Sequence, residues 1–191
     1  MVKTRIGFAM TGSFCTFKQV LEQAHLLAEQ GKWDIYPILS ENAYSLDTRF
    51  GTAQSTIDTL EQLSGKDVIH TIPQTEPIGP KKLLDVLVVA PCTSNTLAKI
   101  ANGINDTPVT MAVKSHLRND RPVVLAVSTN DALAAAGRNI GQLMSQRNLY
   151  FVPMGQDDYQ GKPRSVVADF SQLIPAVEAA LEGRQLQPML Q

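Results

Sequence analysis

The chain has 191 residues, a formal net charge of -1, a pI near 6.3 and two cysteines. A chain this long buries about 70% of its unfolded surface in a real core, and its near-neutral balance, without any Lys/Arg stripe, excludes the electrostatic footprint of a nucleic-acid binder. Cys15 and Cys92 are too few for a disulfide framework and no apolar run approaches the ~18 residues of a membrane span, so a reducing cytoplasm is the expected compartment.

The first strand is expected over Arg5–Met10 and ends at Thr11-Gly12-Ser13. A helix over Thr16–Gln30 follows, with Phe17, Val20, Leu21, Ala24, Leu27 and Ala28 at three- and four-residue spacings and Gly31 as its stop. A second strand, Ile35–Leu39, ends at Ser40. Ile57, Leu60 and Leu63 predict a helix over Ala53–Leu63, ended by Gly65. A short strand is expected near Val68–Ile72, then a proline-rich surface loop over Pro73–Pro80.

The apolar run Val86–Ala90 predicts a buried strand that leads through Pro91-Cys92-Thr93-Ser94-Asn95-Thr96 into a helix. Pro108 suits the first position of a further helix reaching about Leu117, with Thr107 or Asp106 as its cap. Strand Val123–Val127 gives way to Ser128-Thr129-Asn130-Asp131 and a helix to about Gln146. A last strand, Tyr150–Pro153, leads through the polar loop Gly155–Arg164 to a final helix around Ser171–Leu181, within about residues 170–183. Alternating strands and helices predict an α/β fold, a Rossmann-like (flavodoxin-like) three-layer sandwich with a central parallel sheet. One domain over 1–191 is expected, the last helix packing on it.

Four of these strands end in small polar clusters: Thr11-Gly12-Ser13, Ser40, Thr93-Ser94-Asn95-Thr96 and Ser128-Thr129-Asn130. In an open parallel sheet the carboxyl ends of the strands line one edge, where crevice ligands bind. Each cluster alone is an ordinary helix cap; together they predict an anion cradle, with backbone N–H groups and the positive end of a helix dipole turned to a phosphate. No GxGxxG follows the first strand, although Glu41 is placed to mimic the acid that holds an adenine ribose, and no GxxxxGK[ST] loop occurs. One phosphate on a polyhydroxyl tail fits better than a dinucleotide or a nucleoside triphosphate.

The run from Ala90 to Asp106, APCTSNTLAKIANGIND, resembles the signature of the FMN-binding flavoprotein family that includes cysteine decarboxylases and flavin prenyltransferases. The first turn, Thr11-Gly12-Ser13-Phe14, and Ser40 are similar to that family's glycine turn and second-strand serine. The resemblance implies that Thr11, Gly12, Ser13, Phe14, Ser40, Thr93, Ser94, Asn95 and Thr96 hold FMN, with Ser128 near the flavin ring, in a homo-oligomer built on trimers. Where the decarboxylases carry Pro-Ala-Met-Asn and the prenyltransferases Arg-Glu-Thr-Pro, this chain reads Ala126-Val127-Ser128-Thr129-Asn130-Asp131. Through Thr11–Phe17, Pro91–Asn119 and Ser165–Phe170 it is instead similar to an oxidoreductase branch. That implies a partner subunit which supplies NADP and a small dicarboxylate as substrate, in an enzyme whose redox step either subunit carries. The alternatives are a stabilising or substrate-holding subunit with a vestigial cofactor site, and a flavin-dependent decarboxylase or prenyltransferase relative.

No side chain is a convincing acid or base. Arg138, expected two turns inside its helix, and the loop cations Lys162 and Arg164 beside Tyr159 are candidates to hold substrate carboxylates. Cys92, beside a helix amino end, has two readings, a reactive thiolate or a residue packed under the ligand. His116, between Lys114 and Arg118, is read as part of a solvated surface. His25 and His70 lack ligands at metal spacing, so no metal site is expected.

Overall fold

The computed structural model describes residues 2–191. In chain order it runs β1 (Thr4–Met10), α1 (Phe17–Glu29), β2 (Trp33–Leu39), α2 (Glu41–Ser45), α3 (Ala53–Ser64), α4 (Ile72–Thr75), β3 (Val86–Cys92), α5 (Ser94–Ala101) and α6 (Pro108–Leu117). Then follow β4 (Val123–Thr129), α7 (Gly137–Met144), β5 (Leu149–Phe151), β6 (Met154–Gly155), β7 (Val166–Ala168) and α8 (Leu173–Leu181).

Five strands pair in parallel in the order β2-β1-β3-β4-β5. This is the flavodoxin-like order, whose chain reversal between β1 and β3 opens a crevice at the carboxyl ends of the strands. Strand side chains alternate between two layers. Ile6, Phe8, Met10, Val86, Val88, Val124 and Ala126 face one cluster, which takes in Val20, Ala24 and Leu27 of α1, Leu60 of α3 and Val177 of α8. Ala9, Leu87, Val89, Leu125 and Val127 face the other, with Leu97 of α5, Ala112 of α6 and Leu143 of α7. The central strands read as unbroken apolar runs because both of their faces are covered.

Several expected elements form differently. The strand near Val68–Ile72 does not form: only Ile69 bridges the sheet, at Ile38, and the chain turns into α4 at Ile72 with Pro73 in its first turn. Glu41–Ser45, unassigned from sequence, is a short helix because Ser40 caps it, accepting a hydrogen bond from the Ala43 amide at 3.3 Å. The helix after β4 begins only at Gly137, since the amides of Ala134 and Ala136 turn back onto the Asp131 carbonyl and hold the intervening residues in turns. The sheet is also not purely parallel. β7 runs antiparallel to the end of β4 at Ser128 and Thr129, and β6 pairs antiparallel with β7, so the loop between them is held at both ends.

Candidate functional site

The turns after β1, β3 and β4 meet at the carboxyl edge of the sheet. Thr11 is 2% exposed and knits two of them together. Its hydroxyl donates to the Pro91 carbonyl at 2.7 Å and accepts from the Thr93 amide at 3.0 Å, while its own amide reaches the Pro91 carbonyl at 3.2 Å. The Ser40 amide donates to the Met10 carbonyl at 3.0 Å, which draws the end of β2 into the same edge. The third turn is joined by Ser13 and Ser128, whose hydroxyl oxygens lie 2.7 Å apart.

Two cavities occupy this edge. The smaller, about 330 Å³, is lined by Thr11, Gly12, Ser40, Thr93, Ser94, Asn95 and Thr96, together with Glu41, Asn42, Lys99 and Thr107. Thr93 caps α5, accepting from the Thr96 amide at 3.3 Å. That bond leaves the Ser94 and Asn95 amides at the helix start without intrahelical partners, facing an anion-sized space. Lys99 adds a positive charge, steadied by Asp106 at 2.7 Å.

The larger cavity, about 600 Å³, shares Gly12, Thr93 and Ser94 with the smaller one and continues past Ser13, Cys15, Thr16, Gln19 and Ser128 to Thr129, Asn130, Asp131, Asp157 and Lys162. A Cβ at Gly12 would lie 3.4 Å from the Phe14 ring, an ordinary van der Waals contact.

The residues expected to hold the cofactor thus lie together, except Phe14. Its ring is on the far side of the Gly12 turn, 5.0 Å from that of Phe17, lining a separate apolar hollow with Phe50. Of the three expected substrate cations, Lys162 lines the larger cavity. Arg138 and Arg164 are exposed and line neither cavity. Arg138 is displaced because α7 begins only one residue before it. Sequence reasoning missed Lys99, Cys15, Gln19, Asp131 and Asp157, which reach the site through folding and belong to no recognisable spacing.

Charge in the larger cavity is mixed. The carboxyl of Asp157 is held below its ordinary range by the nearby Ser165 hydroxyl and then by the Lys162 ammonium, 3.2 Å away, and Asp157 in turn raises Lys162. Ser165 is wholly buried and completes no hydrogen bond of regular geometry, so it assists Asp157 as a close dipole. Asp131 pairs with the Thr129 hydroxyl and braces the turn after β4.

The two single-residue readings resolve clearly. Cys92 is buried, and burial pushes its thiol strongly upward, so it is packing and not a nucleophile. His116 is 1% exposed and not on a solvated face. Its Nε2 lies 3.1 Å from the Pro122 carbonyl, because α6 turns this residue inward under the loop that enters β4.

A family model described as Flavoprotein matches residues 1–166. The chain is 46% identical over 186 residues to the B subunit of dipicolinate synthase of Bacillus subtilis (strain 168), a match that covers 97% of this chain and 92% of that protein. The crystal structure of the dipicolinate synthase B subunit from Bacillus halodurans C superposes with a TM-score of 0.91 at 42% identity, covering 100% of this chain and 97% of the other. The FMN-dependent cysteine decarboxylase SpaF shares the fold, with a TM-score of 0.71 at 22% identity over 95% of this chain and 98% of its own.

Proposed function

Since this chain belongs to the flavoprotein family, we propose that it binds FMN along the two joined cavities and serves as the B subunit of a dipicolinate synthase. In this role it works with the A subunit of that enzyme, which brings NADP, oxidising a dihydrodipicolinate precursor in the mother-cell cytoplasm of a sporulating bacterium. The observation that carries the reading is the junction at Gly12, Thr93 and Ser94, where a small cation-flanked space opens into a larger polar one. The residues fit the group: unpaired amides at the start of α5, the Ser40 and Asn95 side chains and Lys99 suit a phosphate, and the glycine turn leaves room for the rest. Ser13 and Ser128 would border the ring, and a bound flavin supplies a two-electron acceptor for hydride.

The chain's own part is positioning. Lys162, held out over the larger cavity by Asp157, would meet a substrate carboxylate as an oriented cation. Asp131 is spent on Thr129, and Asp157, the other carboxylate among the described residues that line this cavity, is paired with Lys162, which leaves neither free to act as a strong base. The altered turn after β4 sets the chain apart from decarboxylase and prenyltransferase chemistry. A homo-oligomer based on trimers is part of the same proposal.

One observation favours a second reading, a subunit that holds substrate over a vestigial cofactor site: the Thr11, Ser40 and Thr93 hydroxyls already serve protein hydrogen bonds. Titrating the purified chain with FMN and with riboflavin, following flavin fluorescence, separates the two. The cofactor reading expects FMN to bind more tightly than riboflavin and Lys99→Ala to remove most of that preference. Mixing the chain with the A subunit, precursor and NADP, with and without FMN, then reads dipicolinate formation. Absence of FMN binding, with dipicolinate still formed, would establish the second reading.

A further inference from the structure

The loop between β6 and β7 encloses a polar atom with nothing to bind. Ser165 is wholly buried, and its hydroxyl oxygen is the one enclosed side-chain polar atom among the described residues that lacks a hydrogen-bond partner. A hydroxyl withdrawn from water in this way is costly, and one that a fold retains calls for an explanation. β6 and β7 pair antiparallel, Met154 with Ala168 and Gly155 with Val167. Continuing that register by two residues sets Asp157 opposite Ser165, on the same face. The Gln156 side chain donates to the Pro163 carbonyl at 2.9 Å and the Ser165 amide to the Lys162 carbonyl at 3.0 Å, so the two arms stay together beyond the strands.

Asp157 therefore stands between two donors. On one side is the Lys162 ammonium, 3.2 Å away, on a side chain that is 53% exposed and lines the larger cavity. On the other is the enclosed Ser165 hydroxyl, which already does more than Lys162 to hold the Asp157 carboxyl below its ordinary range. An exposed ion pair is weakly held, and an ammonium whose charge is cancelled by a neighbouring carboxylate attracts an incoming anion less than a free one. An anion that reaches Lys162 thus competes with Asp157, and a carboxylate deprived of its cation needs another donor. Ser165 is such a donor, unused and beside it.

We propose that Ser165 is a positioning residue that receives Asp157 when an anionic ligand takes Lys162. The Asp157 carboxylate trades the Lys162 ammonium for the Ser165 hydroxyl, which donates to it, and the freed ammonium donates to the carboxylate of the ligand. No proton moves and no covalent bond changes. A neutral ligand gives Lys162 nothing to exchange for, so the pair makes the larger cavity selective for carboxylates. This exchange deepens, and rests on, the reading that Lys162 meets a substrate carboxylate.

The test titrates two probes of the same shape, pyridine-2,6-dicarboxylate and the neutral pyridine-2,6-dicarboxamide, into the full chain by calorimetry, with and without saturating FMN. Ser165→Ala, which removes one oxygen from a buried position and adds no bulk, is expected to weaken the dicarboxylate roughly three- to tenfold, as for one lost hydrogen bond, and to leave the dicarboxamide unchanged. A merely structural role would move both probes. In an Asp157→Asn background, where no carboxylate has to be received, Ser165→Ala is expected to leave the ratio of the two affinities unchanged. Equal effects of Ser165→Ala on the two probes, an equal loss in the two backgrounds, or no loss at all overturns the proposal. Lys162→Met separates the exchange from the reading beneath it. A dicarboxylate that does not bind, or binds regardless of Lys162→Met, removes both, whereas binding that needs Lys162 and ignores Ser165 removes the exchange alone.

Discussion

The hydroxyls of Ser13 and Ser128 meet at 2.7 Å although 115 residues separate them. One closes the turn after β1 and the other ends β4, so this contact bridges over the end of β3 and fixes the width of the larger cavity. It is a direct polar link beside the proposed ring position. Replacing either serine with alanine is expected to leave the fold intact and to weaken FMN binding roughly two- to tenfold, as expected for the loss of one hydrogen bond. The double variant should lose little more than either single one, because both remove the same contact; fluorescence titration of the four proteins gives the cycle.

Thr11 presents a different case, since its hydroxyl is buried and used twice within the protein. Thr11→Val keeps the shape, deletes the acceptor for the Thr93 amide and leaves the Pro91 carbonyl with the residue-11 backbone amide as its donor. Urea unfolding should show a loss of about 1–3 kcal/mol, and Thr11→Ser should recover most of it. Equal stability of the threonine and valine proteins would show that water replaces the hydroxyl.

His116 predicts a pH dependence of stability. Burial lowers its pKa from 6.5 to about 4, against a smaller opposing effect of the Pro122 carbonyl. The folded protein therefore holds the ring neutral where the unfolded chain protonates it. Its contribution is complete above pH 6.5 and is lost as the pH falls from there towards about 4, at up to roughly 1.4 kcal/mol per pH unit. Denaturant unfolding at a series of pH values should show this slope, and His116→Gln should flatten it over the same interval.

The two thiols should separate in reactivity. Cys15 is exposed and lines the larger cavity, while Cys92 is fully enclosed and its thiolate strongly disfavoured. A thiol reagent is expected to modify one cysteine in the native protein and the second only on unfolding, with Cys15→Ser abolishing the fast phase. Saturating FMN should slow the reaction at Cys15. Unchanged kinetics would place the bound flavin away from this end of the cavity.

The parallel core was legible in the sequence because its signals are local. Strands covered on both faces read as apolar runs, and α1, α3, α5 and α6 announce themselves by spacing, cap and stop. The hydroxyl clusters were legible too, since each lies where a strand ends. What escaped was set by distance in the chain: β7 gains strand form only by pairing with Ser128 and Thr129 and with β6. His116 was misread because its charged neighbours, Lys114 and Arg118, describe the far side of α6, whereas its own burial depends on Pro122 and the sheet beneath. Phe14 was misplaced for a related reason: sequence puts it beside Ser13, but the turn sends the two side chains in opposite directions.

Because the segment from Gln156 to Arg164 springs from the β6–β7 ribbon and not from the parallel strands, its length and composition are decoupled from the cradle at α5. Insertions or exchanges there alter what this segment, Asp157 and Lys162 included, presents to the larger cavity, while Gly12, Thr93 and Ser94 belong to other elements. The architecture lets one nucleotide-sized seat be retained while the chemistry presented to it is rewritten by a single hairpin.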